Sequence, residues 1–121
     1  MNETQVRDHA EAGAVREVDA SGLEAALAVP GRAVIVDFWS TTCRPCKAFA
    51  PLFERSAQAN PDVEHVSVDA GEHPELVETY GVRGVPTLLG FADGQQTYTH
   101  TGVLAPSKLN EVVSQLRLQA A

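Results

Sequence analysis

Cysteine is nearly absent from this chain of 121 residues: there are two, Cys43 and Cys46, and they stand three positions apart. A framework of structural disulfides needs several pairs spread along a chain, so none can be built here, and a single close pair fits a reducing compartment. Basic residues are also scarce, nine against sixteen acidic ones, for a formal charge of -7. That balance repels phosphate backbones and anionic lipid surfaces, which argues against nucleic acid or a membrane as partner. Its plainest role is solubility. Long hydrophobic runs are missing too, none approaching the roughly 20 residues of a spanning helix. The opening stretch MNETQVRDHAEAG mixes both charges and lacks the apolar segment of a secretory signal. A cytoplasmic location and a monomeric state are the expectations.

What is present is ordinary for a globular protein, with 44% hydrophobic and 21% charged residues. At this length one hydrophobic core is expected, over residues 13 to 121, behind a polar tail at 1 to 12. A short strand is predicted over residues 14 to 18. Ser21 and Glu24 have capping-box spacing, and Leu23, Ala26 and Leu27 share a face, so a helix over 21 to 28 follows, stopped by Pro30 and Gly31. Residues 33 to 39, AVIVDFW, are apolar almost throughout, which is how a strand buried on both faces reads. A helix should follow over 43 to 59, capped by Thr41 or Thr42 and kinked at Pro51. A strand over 62 to 68, a short helix from Pro74 to Gly81 and a strand over 85 to 91 come next. Asp93 and Gly94 signal a hairpin into a strand over 96 to 101. The last helix, 106 to 118, sets Leu109, Val112, Val113 and Leu116 on one face. The order β-α-β-α-β-α-β-β-α implies an α/β sandwich around a mixed sheet.

Two features in this pattern carry chemistry. Cysteines at i and i+3 of a helix are neighbours, so Cys43 and Cys46 can close a disulfide or part as a dithiol. Cys43, at the helix N-terminus, has its thiolate favoured by free N–H groups and the helix dipole, which makes it the attacking sulfur; Cys46 lies one turn deeper and resolves the mixed disulfide. Pro45 restricts the loop between them. A disulfide staple and half of a zinc site are the alternatives. So short a loop constrains the unfolded chain little, and no second C-x-x-C or clustered histidine completes a zinc site. Asp37 is the second feature: a carboxylate inside VIVDFW is buried, and desolvation should raise its pKa. Trp39 reads as packing beneath the cysteine loop, and Lys47 as a surface residue.

The spacing of several separated motifs resembles the thioredoxin family: Val36-Asp37-Phe38-Trp39, then Cys43-x-Pro45-Cys46-Lys47, Ala50-Pro51, Tyr80-Gly81-Val82-Arg83-Gly84-Val85-Pro86-Thr87, Gly94 and Gly102. The resemblance covers residue 14 to the end. It implies a three-layer thioredoxin-like sandwich, with a central mixed sheet flanked by helices and a cis-proline loop, Val85-Pro86, beside the cysteines. It implies a protein-disulfide reductase working through the redox-active pair Cys43-Cys46, without a bound cofactor, taking electrons from a thioredoxin-reductase-type flavoprotein and passing them to disulfide-containing proteins. Asp37 becomes the proton acceptor for Cys46, through a water molecule, and the groove around Thr42, Val85, Pro86 and Gly102 the docking surface. The chain departs from the family at Thr42 and Arg44, where tryptophan and glycine are usual. It departs again near Asp37, where the alignment places His65 in the position of a common lysine. A thiol oxidase or isomerase, and a non-catalytic chaperone or assembly subunit, are the alternative functions.

Overall fold

The computed structural model describes residues 13 to 121; the tail expected at 1 to 12 lies outside the described residues. Five strands, β1 (Arg16–Glu17), β2 (Ala33–Trp39), β3 (Glu64–Asp69), β4 (Thr87–Ala92) and β5 (Gln95–Thr101), form one sheet in the order β1-β3-β2-β4-β5. The pairs β1 with β3 and β3 with β2 are parallel, whereas β4 runs antiparallel to both β2 and β5. Among the described residues four helices cover the two faces: α1 (Ala20–Leu27), α2 (Arg44–Ala59), α3 (Pro74–Thr79) and α4 (Pro106–Ala120).

The central strand explains the layering. Side chains alternate across a strand, so its even-numbered residues face one way and its odd-numbered residues the other. Val34, Val36 and Phe38 enter a cluster with Leu23 of α1, Leu76 of α3, and Val66 and Val68 of β3. Ile35 enters the opposite cluster with Phe49 and Phe53 of α2, Leu88 of β4, and Leu109, Val113 and Leu116 of α4. Both faces are covered, which is why VIVDFW lacks the alternation of a half-exposed strand. Full burial of each such side chain contributes about 1.5–3 kcal/mol. Asp37 lies on the second face, beneath α2.

Several expected boundaries move. β1 is two residues long rather than five, because only Arg16 and Glu17 find ladder partners, Val66 and Ser67, on the sheet's edge. The first helix is capped by Asp19, whose carboxylate accepts the Gly22 N–H at 2.8 Å; Ser21 lies within the helix, so the Ser21-Glu24 box does not form. Neither Thr41 nor Thr42 caps α2. Cys43 does, its sulfur accepting the Cys46 N–H at 3.1 Å. α2 continues through Pro51, which is exposed, so the carbonyl deprived of its donor lies toward solvent. β4 begins at Thr87, after a cis Val85-Pro86 bond. The hairpin forms at Asp93 and Gly94, both with positive φ (53° and 81°), the combination a two-residue type I′ turn requires.

Candidate active site

The connections that matter gather at one end of the sheet. β2 leaves the sheet at Trp39, and after four intervening residues α2 begins and runs back over the sheet. The antiparallel register pairs Phe38 with Thr87, so the cis Val85-Pro86 peptide lies at the same end, opposite the exit of β2. β5 ends there as well: Gly102, with φ +112°, donates its N–H to the Pro86 carbonyl at 2.8 Å. Thr87 Oγ1, which donates to the Gly84 carbonyl, stands 3.1 Å from Thr101 Oγ1, bracing the two loops against each other. Cys43, Val85-Pro86 and Gly102 thus come from three loops that the sheet register brings to one edge.

Cys43 and Cys46 are joined, with Cα atoms 5.3 Å apart. Their environments differ. Cys43 is 9% exposed and Cys46 2%, because Cys43 sits at the helix end while Cys46 is turned inward on the first turn of α2. The residues between and around them, Thr42, Arg44, Pro45 and Lys47, are exposed. A nucleophile must meet its target, and a resolving thiol needs only to reach its neighbour, so the more accessible sulfur suits attack and the enclosed one suits resolution. Among the described residues no cluster of three or more histidine, cysteine, aspartate or glutamate side chains could hold a metal ion.

Beneath the pair opens a cleft of about 240 Å³, lined by buried Asp37, Cys46 and Ser67, by half-buried Trp39, and by Glu17, Lys47 and Glu54 on its exposed side. Asp37 is 4% exposed, and burial alone raises its pKa from 3.8 to about 7. Its Oδ1 has no hydrogen-bond partner among the described residues. A carboxyl poised near neutrality, facing the same cleft as the resolving sulfur, can hold or release a proton at physiological pH. Glu17, at the cleft's outer edge, also has a raised pKa, first through burial and then through the negative charge of Asp69.

His65 is not beside Asp37. The β2–β3 ladder pairs His65 with Ile35 and Asp37 with Ser67, so the ladder neighbour of Asp37 is a serine, and His65 lies two residues back along β3 on the same face. The His65 ring is committed elsewhere: Nδ1 lies 2.9 Å from the Val63 carbonyl and Nε2 2.9 Å from Ser56 Oγ. Burial lowers its pKa, so the ring is held neutral. Then Nδ1–H donates to Val63 and Nε2 accepts from the Ser56 hydroxyl. Ser67, Glu17 and Glu54 were not among the site residues expected from the sequence. Their placement depends on strand register and on where α2 lies over the sheet.

Comparisons with known proteins bear on the family and the fold. The family profile described as Thioredoxin matches residues 14–115. A putative thioredoxin 2 of Streptomyces coelicolor is 37% identical over 84 residues, which are 69% of this chain and 63% of that protein. Thioredoxin-2 of Pyricularia oryzae is 40% identical over 81 residues, 67% of this chain and 47% of that one. The matched part thus spans less than two thirds of either relative's length. A mutant thioredoxin from Halobacterium salinarum superposes with a TM-score of 0.82 at 29% identity, covering 88% of this chain and 93% of its own.

Proposed function

Because the chain belongs to the thioredoxin family, we propose that it is a thiol-disulfide oxidoreductase that reduces protein disulfides through Cys43 and Cys46. The observation that carries this reading is the unequal burial of two bonded sulfurs at the start of α2, with a buried carboxyl, its pKa raised to about 7, in the cleft below.

In the reduced form the Cys43 thiolate attacks one sulfur of a substrate disulfide. That bond breaks, the other substrate sulfur leaves as a thiolate and takes a proton, and a mixed disulfide joins Cys43 to the substrate. Cys46 then gives up its proton toward Asp37 and attacks the Cys43 sulfur. The second substrate sulfur leaves as a thiolate and takes a proton, the substrate ends as a dithiol, and the protein ends with the Cys43–Cys46 bond observed here. Two electrons have moved from protein to substrate. A reductase of the flavoprotein class must return them. The substrate approaches across Thr42, Val85-Pro86 and Gly102; the Pro86 carbonyl is taken by the Gly102 N–H, which leaves the Val85 backbone to pair with an extended segment. Both cysteines are spent on this one motif, which supports a reducing compartment, the cytoplasm, as the place of action.

The test is trapping. Cys46→Ser removes the resolving thiol and should accumulate a covalent adduct with a disulfide protein through Cys43, visible by mass; Cys43→Ser should accumulate none. Equal trapping by both variants, or a wild type that reduces no disulfide such as those of insulin with dithiothreitol as electron source, overturns the reading.

A further inference from the structure

We propose that Ser67 is a positioning residue for proton transfer, holding the water molecule that connects Asp37 to Cys46. The inference rests on the disulfide-exchange reading above. Three observations place it. Ser67 is the ladder neighbour of Asp37 on a parallel strand, so the two side chains leave the sheet on the same face, on strands about 4.8 Å apart. Ser67, Asp37 and Cys46 line one cleft, and its 240 Å³ gives room for several waters. The Oδ1 of Asp37 is a buried oxygen with no protein partner among the described residues, which is the group a bound water satisfies.

A hydroxyl suits this position because it both donates and accepts. A water in the cleft needs two to four polar partners to be held, and the Asp37 carboxyl, the Ser67 hydroxyl and the Cys46 sulfur supply three. When Cys46 attacks Cys43, its proton passes to the water and a water proton passes to Asp37; the Ser67 hydroxyl fixes the water and gains or loses no net proton. The other charged or titratable groups facing Asp37 do not replace it. Glu17 of β1 and Glu54 of α2 are carboxylates at the exposed edge, Lys47 of α2 is exposed, β4 contributes the apolar Leu88, and His65 of β3 is bonded to Ser56 and Val63.

Two measurements on the full chain test this. The first follows the Asp37 carboxyl of the reduced protein by carbon NMR through a pH titration. Ser67→Ala loosens the water whose O–H donates to the ionised Asp37 carboxylate and should raise the Asp37 midpoint; Ser67→Thr, which keeps the hydroxyl, should restore it. The second follows, by stopped flow near neutral pH, release of the substrate thiol from a mixed disulfide made on Cys43. Ser67→Ala should slow it by about three- to tenfold, the worth of one hydrogen bond. The double variant with Asp37→Asn should be no slower than Asp37→Asn alone, because both act through one proton path. An unmoved midpoint, an unchanged release rate, or additive losses overturns the proposal for Ser67. A wild type that forms no mixed disulfide at all overturns the reductase reading instead, a result the NMR titration does not share.

Discussion

Replacing Asp37 by asparagine keeps the side chain's size and removes its charge, so it isolates the cost of burying that charge. Burial holds the folded carboxyl at about 7 against 3.8 for an exposed aspartate. Between those two values the unfolded chain has released a proton that the folded chain still holds, so stability falls as pH rises through this window. The fall ends once the folded carboxyl has ionised, and the gap corresponds to about 4 kcal/mol. The replacing amide is neutral at every pH but leaves a buried polar group short of a partner, a cost of about 1–3 kcal/mol. Asp37→Asn should therefore be no more stable than the wild type near about pH 4, and more stable by about 1–3 kcal/mol near about pH 8. Urea unfolding of the oxidised protein, in which neither cysteine titrates, measures both curves. Subtracting one from the other cancels His65 and the other groups the two proteins share. A difference that stays flat across the range would refute the claim that burial raises the Asp37 pKa. The reduced variant should also release substrate from the mixed disulfide more slowly near neutral pH, although it is the more stable fold above that pH.

Arg44 is exposed beside Cys43, and its charge favours the thiolate and hence the reduced form. Arg44→Gly should lower the reduction potential, by no more than about 20–30 mV, in equilibrium with glutathione; an unchanged or raised potential refutes this. Thr42→Trp adds an aromatic surface at the docking edge and should change the KM of the flavoprotein reductase while leaving the potential in place, and unchanged partner kinetics would sink that account. For His65, whose folded pKa burial lowers from 6.5, the stabilising contribution is fully present above 6.5 and is lost as pH falls through the lower folded value, since only the unfolded ring protonates. His65→Leu should be less stable at neutral pH, with the Ser56 hydroxyl left unpaired, yet show a shallower acid limb in urea unfolding; an equally steep limb assigns the acid sensitivity to other groups.

Local chemistry made much of this protein legible from its residues. The run from Ala33 to Trp39 is apolar on both sides of its alternation, which only a covered central strand explains, and it is β2. Asp93-Gly94 supplies the two positive-φ positions of a tight hairpin, and the face holding Leu109, Val112, Val113 and Leu116 is the buried face of α4. The pair Cys43-x-x-Cys46 after such a strand points to disulfide exchange, because reach between i and i+3 and the helix N-terminus are properties of a few neighbouring residues. What needed the tertiary structure is what depends on non-neighbours. Threonine is intrinsically the better cap, yet α2 starts at Cys43's own sulfur, because the path out of β2 decides where helical hydrogen bonding begins. Within EHVSV, His65 and Ser67 face the same way and are equivalent to any local rule; only the pairing of β2 with β3 puts Ser67 next to Asp37. The same holds for burial. Asp37 announces itself as a carboxylate in an apolar strand, but its shift to about 7, its partnerless oxygen and the cleft it shares with Cys46 arise from α2 lying over that face of the sheet, since desolvation is set by what packs against a group and not by its neighbours in the chain.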